Sequence, residues 1–200
     1  MRAVAIFVFM GVGATAGVAQ PFTTVYNVPS DVPPNPLPSD TQLNVSAGGA
    51  LGNNYLVGNT SGTSSNLELN VLGGTVGYNL QARPGSTINI SGGVVGDYLK
   101  AYNDSTVDIT GGQVGFVEAN SGSYLNVGGG EVGRVIARGG SLVSLTGGTA
   151  GDSFTAEQGA VVYLTGGTVG NFFSAYSGSR LNIYGNEFLL NGAPVPGFVN

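Results

Sequence analysis

The sequence predicts an all-β fold, a single-stranded parallel β-helix (solenoid) with three short strands in each coil. Three observations predict it. A ten-residue phrase recurs as ELNVLGGTVG from Glu68, TINISGGVVG from Thr87, TVDITGGQVG from Thr106, YLNVGGGEVG from Tyr124, LVSLTGGTAG from Leu142 and VVYLTGGTVG from Val161. A shortened copy, RLNIYGNEF, starts at Arg180, and successive copies are 18 or 19 residues apart. Apolar residues fall in three recurring sets within each copy. Glycine is 36 of 200 residues, with no every-third-residue period, so the chain is not collagen-like.

Met1 to Ala19 reads as a signal peptide. Arg2 is the positive end, Ala3 to Val12 the apolar run, and Gly17-Val18-Ala19 a cleavage site of small residues. Residues 20–41 form a proline-rich leader with five prolines in PSDVPPNPLP. Proline fixes φ and lacks an N–H, so an extended or PPII-like stretch is expected. Its apolar start, Phe22 to Val28, is placed over the first coil as a cap, with a flexible linker as the alternative.

The solenoid is expected over residues 42–185. LNVSAGGALG, from Leu43, is an imperfect first copy, and NTSGTSSN (Asn59 to Asn66) is a polar loop projecting from one corner. In the clean copies the first apolar set is a pair two residues apart, such as Ile88/Ile90 or Leu125/Val127. That spacing puts both side chains on one face of a strand. The second set is the residue before the closing glycine, such as Val95 or Val114. The third is a large residue, one residue, then alanine, as in Leu99/Ala101 or Phe154/Ala156. Such short strands bury little alone, but stacked coils turn each set into a column of a shared core. Glycine pairs mark one corner, the single glycine after the second set the next, and turns such as Asn120 to Ser123 the third. At about 4.8 Å per rung, roughly seven coils make a rod about 35 Å long. The unequal sides favour a right-handed helix. Residues 186–200 break the repeat, and Phe188, Leu190, Val195 and Phe198 are expected to cap the last rung.

Composition removes several functions. There is no cysteine and no histidine, which excludes Ser-His-Asp triads, HExxH zinc sites and thiolate chemistry. A net charge of −5 with six basic residues and no basic run disfavours nucleic acid. Stacking aligns Lys100 with Glu118, Arg134 with Asp152 and Arg138 with Glu157, which predicts opposite charges matched across rungs. Asp97 and Asp152 share a column three rungs apart, roughly 14 Å at the rung spacing, too far for a glycosidase pair. The aspartates are not periodic enough for a calcium roll. No catalytic residue, metal site or cofactor is expected.

One face is unusually regular. Between the paired apolar residues stand Asn70, Asn89, Asp108, Asn126, Ser144, Tyr163 and Asn182, and a Ser/Thr-rich column follows two residues on. This face is either an amide and hydroxyl ladder that stabilises the stack or a binding surface. Tyr124, Tyr163 and Tyr184 lie on it, in three different columns, and are candidates for stacking on sugars.

The repeated phrase resembles the glycine-rich repeats of secreted bacterial β-helix proteins, namely adhesin and autotransporter passenger regions with GGxV- or GGxI-type coils and pectin-lyase-like solenoids. The similarity spans residues 42 to 190. It implies the solenoid and assigns no functional residue. No outer-membrane barrel pattern follows within the 200 residues, so self-export is not expected. The expected function is an exported structural or adhesive module, secreted or at the cell surface, that presents its Asn/Ser/Thr face to a cell surface, matrix or glycan. A polysaccharide-active lyase or hydrolase and an ice-binding solenoid are the alternatives. No membrane span is expected after signal cleavage, and the oligomeric state is left open.

Overall fold

A computed structural model describes residues 21–185, 189–190 and 193–194. The signal-peptide reading of Met1 to Ala19 lies outside the described residues. The chain winds into a parallel β-solenoid with two long sheets along its length. One sheet has nine strands: Thr24–Val28, Thr41–Val45, Leu67–Val71, Ser86–Ile90, Thr106–Ile109, Tyr124–Val127, Leu142–Leu145, Val161–Leu164 and Arg180–Ile183. Each pairs in parallel with the same phrase one coil later, so Val107 lies between Ile88 and Leu125. The second sheet, of eleven strands, carries the other sides of the coils. Nine strands at about 4.8 Å make this sheet roughly 38 Å long.

That is about eight turns against the expected seven, and the extra turn comes from the leader. Thr24–Val28 pairs in register with Thr41–Val45, which places Tyr26 beside Leu43 and Val28 beside Val45. The reason is visible in the residues: YNV repeats the in-out-in pattern of the LNV that follows it. The proline-rich stretch is then the connection, and Leu37 returns to the core by bridging Val57. Tyr55, only 4% exposed, fastens this connection by donating to the Pro34 carbonyl at 2.7 Å. Burial, with a smaller contribution from Tyr26, pushes the Tyr55 hydroxyl well above the ordinary tyrosine range, so it stays a donor.

The three apolar sets form one continuous core. Ile88, Ile90, Leu99, Ala101, Leu125 and Val127 are all fully buried. The last described rung departs from this, with Phe172 71% exposed and Phe173 37% exposed. The proposed cap at 186–200 lies mostly outside the described residues. Within it, Leu189–Leu190 and Ala193–Pro194 pair as an antiparallel hairpin.

The corners differ from one another. At the glycine pair, Gly112 has φ 76°, and a Cβ there would lie 2.8 Å from backbone atoms of the coil below. At the single-glycine corner the early coils turn through a left-handed residue, Asn79 (φ 61°) or Tyr98 (φ 63°), and the last described coil breaks between Thr168–Val169 and Phe172–Ala175. The coils at Gly115 and Gly133 are one residue shorter there. With no residue to spend on a turn, the chain runs straight through as Gln113–Ala119 and Glu131–Ala137. Thr149–Ala156 regains the extra residue but absorbs it as a bulge.

The third corner holds a column that the sequence reading missed. Ser86, Ser105, Ser123 and Ser141 are buried, and each donates its hydroxyl to the carbonyl three residues back, for Ser123 to Asn120 at 2.6 Å. The signal was present as a serine after each turn glycine or aspartate. At the same corner, the Asn59 to Asn66 insertion closes on itself, with Asn59 Nδ2 donating to Thr63 Oγ1 at 2.8 Å.

Of the three charge pairs expected across rungs, Arg138–Glu157 forms as an ion pair and the other two do not. Lys100 lies opposite Glu118 in register, but Glu118 takes its ion pair from Arg138 at 2.7 Å, and Arg138 also pairs with Glu157. The hydrogen bond from Arg138 to Glu118 is the main reason its guanidinium is held above its ordinary value. The expected Arg134–Asp152 pair does not form. The bulge between Val132 and Arg134 on one side and Ala150 and Ser153 on the other sets Arg134 opposite Ser153, and Arg134 Nε donates to Ser153 Oγ at 3.0 Å.

Candidate functional site

The regular face of the first sheet divides into two chemically different halves. In the N-terminal half the asparagines consume one another. Asn44 Nδ2 donates to Asn27 Oδ1 at 3.0 Å, Asn70 to Asn44 at 3.0 Å and Asn89 to Asn70 at 2.9 Å. Parallel in-register strands put identical side chains one rung apart, which is the geometry an amide ladder needs. Asn70 and Asn89 therefore stand in a structural row.

Asp108 interrupts the row. It accepts from Asn126 Nδ2 at 2.7 Å on the next rung. On its other side it lies opposite Asn89, whose amide nitrogen is committed to Asn70. Two acceptors then face each other, and no hydrogen bond joins them among the described residues. Asp108→Asn supplies the missing donor, and it is expected to raise stability by about 0.5–1.5 kcal/mol. Thermal denaturation of the two proteins checks this; an unchanged or lower midpoint would mean the ladder is not limited at Asp108.

In the C-terminal half the row changes to Ser144 and Tyr163, which cannot continue an amide ladder. Asn182, beyond them, turns to the Val162 carbonyl at 3.4 Å. A groove of about 310 Å³ opens here, lined by Tyr124, Leu142, Ser144, Thr146, Tyr163, Thr165 and Tyr184. Its construction follows from register. Tyr124 lies one rung before Leu142, and Ser144 lies one rung before Tyr163. Ser144 and Thr146 are small, so their rung makes a low floor between Tyr124 on one side and Tyr163 and Tyr184 on the other. The three tyrosines stand in different columns, yet the structure brings all three onto this groove. Tyr124 is 40% and Tyr184 61% exposed. The lining carries ring faces and hydroxyls and no charged side chain, the chemistry of recognition by stacking and neutral hydrogen bonding. Asn70, Asn89, Asp108, Asn126 and Asn182 do not line it.

A second groove lies on the opposite sheet, lined by Asp97, Tyr98, Gly115, Phe116, Arg134, Asp152, Ser153, Asn171 and Phe172. Sequence alignment set Asp97 and Asp152 three rungs apart. The structure keeps that offset, but each carboxylate leans over the glycine of the intervening rung nearest it. A Cβ built on Gly115 would collide with Asp97 Oδ1, and one on Gly133 would come within 3.5 Å of Asp152 Oδ2. With neighbouring rungs about 4.8 Å apart, the two carboxylates come within roughly 10 Å. Among the described residues no group of three or more acidic side chains gathers in metal-ligand geometry.

Comparisons with protein-family models, with curated proteins and with solved structures found no match.

Proposed function

We propose that this chain is an exported adhesive solenoid that binds glycan through the groove of Tyr124, Tyr163 and Tyr184. The convergence of three tyrosines over a floor of Ser144 and Thr146 carries this reading. Tyrosine offers an apolar ring and a wet hydroxyl at the same site, so it stacks on a sugar face while hydrogen-bonding its edge. The absence of charge from the lining favours a neutral saccharide. The N-terminal pattern at Met1 to Ala19 supports export, and the resemblance of the repeat to secreted adhesin-like solenoids supports a surface or extracellular setting. The Asn ladder is the rigid support on which the groove is displayed.

The test is a neutral glycan array probed with the mature chain and with Tyr163→Ala. Tyr163 points outward from the core, so its loss is expected to reduce array binding about tenfold or more and leave the melting temperature nearly unchanged. A wild-type chain that retains no glycan and does not affect cell attachment would sink the proposal.

A further inference from the structure

The second groove is built from a gap in a row of rings. Tyr78, Tyr98 and Phe116 stack edge to face on successive rungs, with centroids 5.3 and 4.8 Å apart. The row then stops. The next two rungs place Arg134 and Ser153 in the same column, and Phe172 resumes it one rung further on. A slot is left with Phe116 at one end, Phe172 at the other and Arg134 with Ser153 between them. At the rung spacing its ends are roughly 14 Å apart.

The slot is supplied with unspent hydrogen-bonding groups of both signs. Neither the Asp97 nor the Asp152 carboxylate has a hydrogen bond or ion pair to another described residue. Arg134 donates to Ser153 through Nε and makes no ion pair with any described residue, while its guanidinium carbon lies 5.6 Å from the Phe116 ring centre. Asp152 reaches the slot because its strand carries an extra residue as a bulge, a device that re-aims a side chain. The glycines at Gly115 and Gly133 leave the space into which both carboxylates lean.

We infer that this slot is a second ligand site, and that it takes a short stretch of an uncharged oligosaccharide. Carboxylates accept hydrogen bonds from sugar hydroxyls, and a guanidinium donates to hydroxyl and ring oxygens. Phe172, exposed at one end, provides an apolar face for the sugar's C–H surfaces, while Phe116 is nearly buried beneath Tyr98 and Arg134 and closes the other end. Opposite charges in one slot disfavour a strongly anionic or strongly cationic polymer, because either would meet a like charge. The site lies on the other sheet from the tyrosine groove and does not depend on it.

The experiment is isothermal titration of the mature chain with cellohexaose, xylohexaose, mannohexaose and N-acetylated chitohexaose, with glucosamine hexamer as a charged control. The variants are Asp97→Asn/Asp152→Asn together, Phe172→Ala, and Tyr163→Ala in the other groove. At least one neutral hexasaccharide is expected to bind the wild type. The paired carboxylate change and Phe172→Ala should each weaken that binding about tenfold or more. Tyr163→Ala removes only the share of binding that belongs to the tyrosine groove, so hexasaccharide binding by the slot should persist in that variant, and the melting temperatures should match. Phe172 is exposed, so its variant keeps the test independent of folding. Absence of binding by every neutral hexasaccharide overturns the inference. So does binding lost only in Tyr163→Ala, which would leave the tyrosine groove as the sole site. Binding confined to the glucosamine hexamer and abolished by salt also overturns it, since that is bulk attraction to an acidic chain.

Discussion

Gly112→Ala is expected to destabilise the protein by about 3 kcal/mol or more. Two costs add at this position. The backbone sits at φ 76°, a region that L-residues enter only with strain. The new methyl would also lie 2.8 Å from the Gly92 carbonyl carbon and the Gly93 oxygen, and those atoms cannot yield without opening the coil below. Gly128 supplies the comparison. It lies one coil later, its Cβ would face outward, and its nearest neighbour would be Thr146 Oγ1 at 3.4 Å. Gly128→Ala is expected to change stability by less than about 0.5 kcal/mol. Chemical denaturation of both variants decides the matter. Equal losses would show that the corners tolerate a side chain and that close coil-to-coil approach does not set the fold.

Phe154→Ala is expected to cost about 3–5 kcal/mol. Phe154 is fully buried and is among the largest such side chains in the core. It lies in register between Val135 and Phe173, with its ring 5.5 Å from that of Phe173. Removing it leaves a void in a column whose neighbours are fixed by backbone pairing on both sides, so collapse is limited. Phe173→Ala, at a residue 37% exposed, should cost well under half as much. Denaturation midpoints at constant m-value test the ranking. Similar losses at both sites would mean that the last rung is as well covered as the interior.

The core columns were legible because each side chain repeats at a fixed distance along the chain, and register then follows from the period alone. Ile88 above Leu69 and below Val107 needs no structure to be seen. Three features were not legible in that way. The pairing of Thr24–Val28 was hidden because the leader has no glycine phrase, although YNV carries the in-out-in pattern. The Arg134–Ser153 pairing was missed because the chain can absorb one extra residue either as a left-handed turn, at Tyr98, or as a bulge, at Asp152. Periodicity counts residues and does not distinguish the two. The tyrosine groove was half legible. Its residues were named from the sequence, but three columns looked like three separate places. Only the depth of the Ser144 and Thr146 floor, a matter of side-chain volume, joins them.

The change in strand length along the rod has a mechanical meaning. Backbone hydrogen bonds run from coil to coil, parallel to the long axis, so a pull between the ends loads the coils in series. Outside the first sheet, the early coils are joined by strands of two or three residues, such as Thr75–Val76 and Leu99–Ala101, the middle ones by strands of seven or eight, and the last by the short strands Thr168–Val169 and Phe172–Ala175. A chain held at both ends, as a tethered adhesive would be, is therefore compliant in its N-terminal coils and stiff from Thr106 to Leu164. In single-molecule stretching the N-terminal coils should peel at lower force. The opposite order would mean that side-chain columns, rather than strand length, bear the load. Both proposed grooves draw most of their lining from the stiff part.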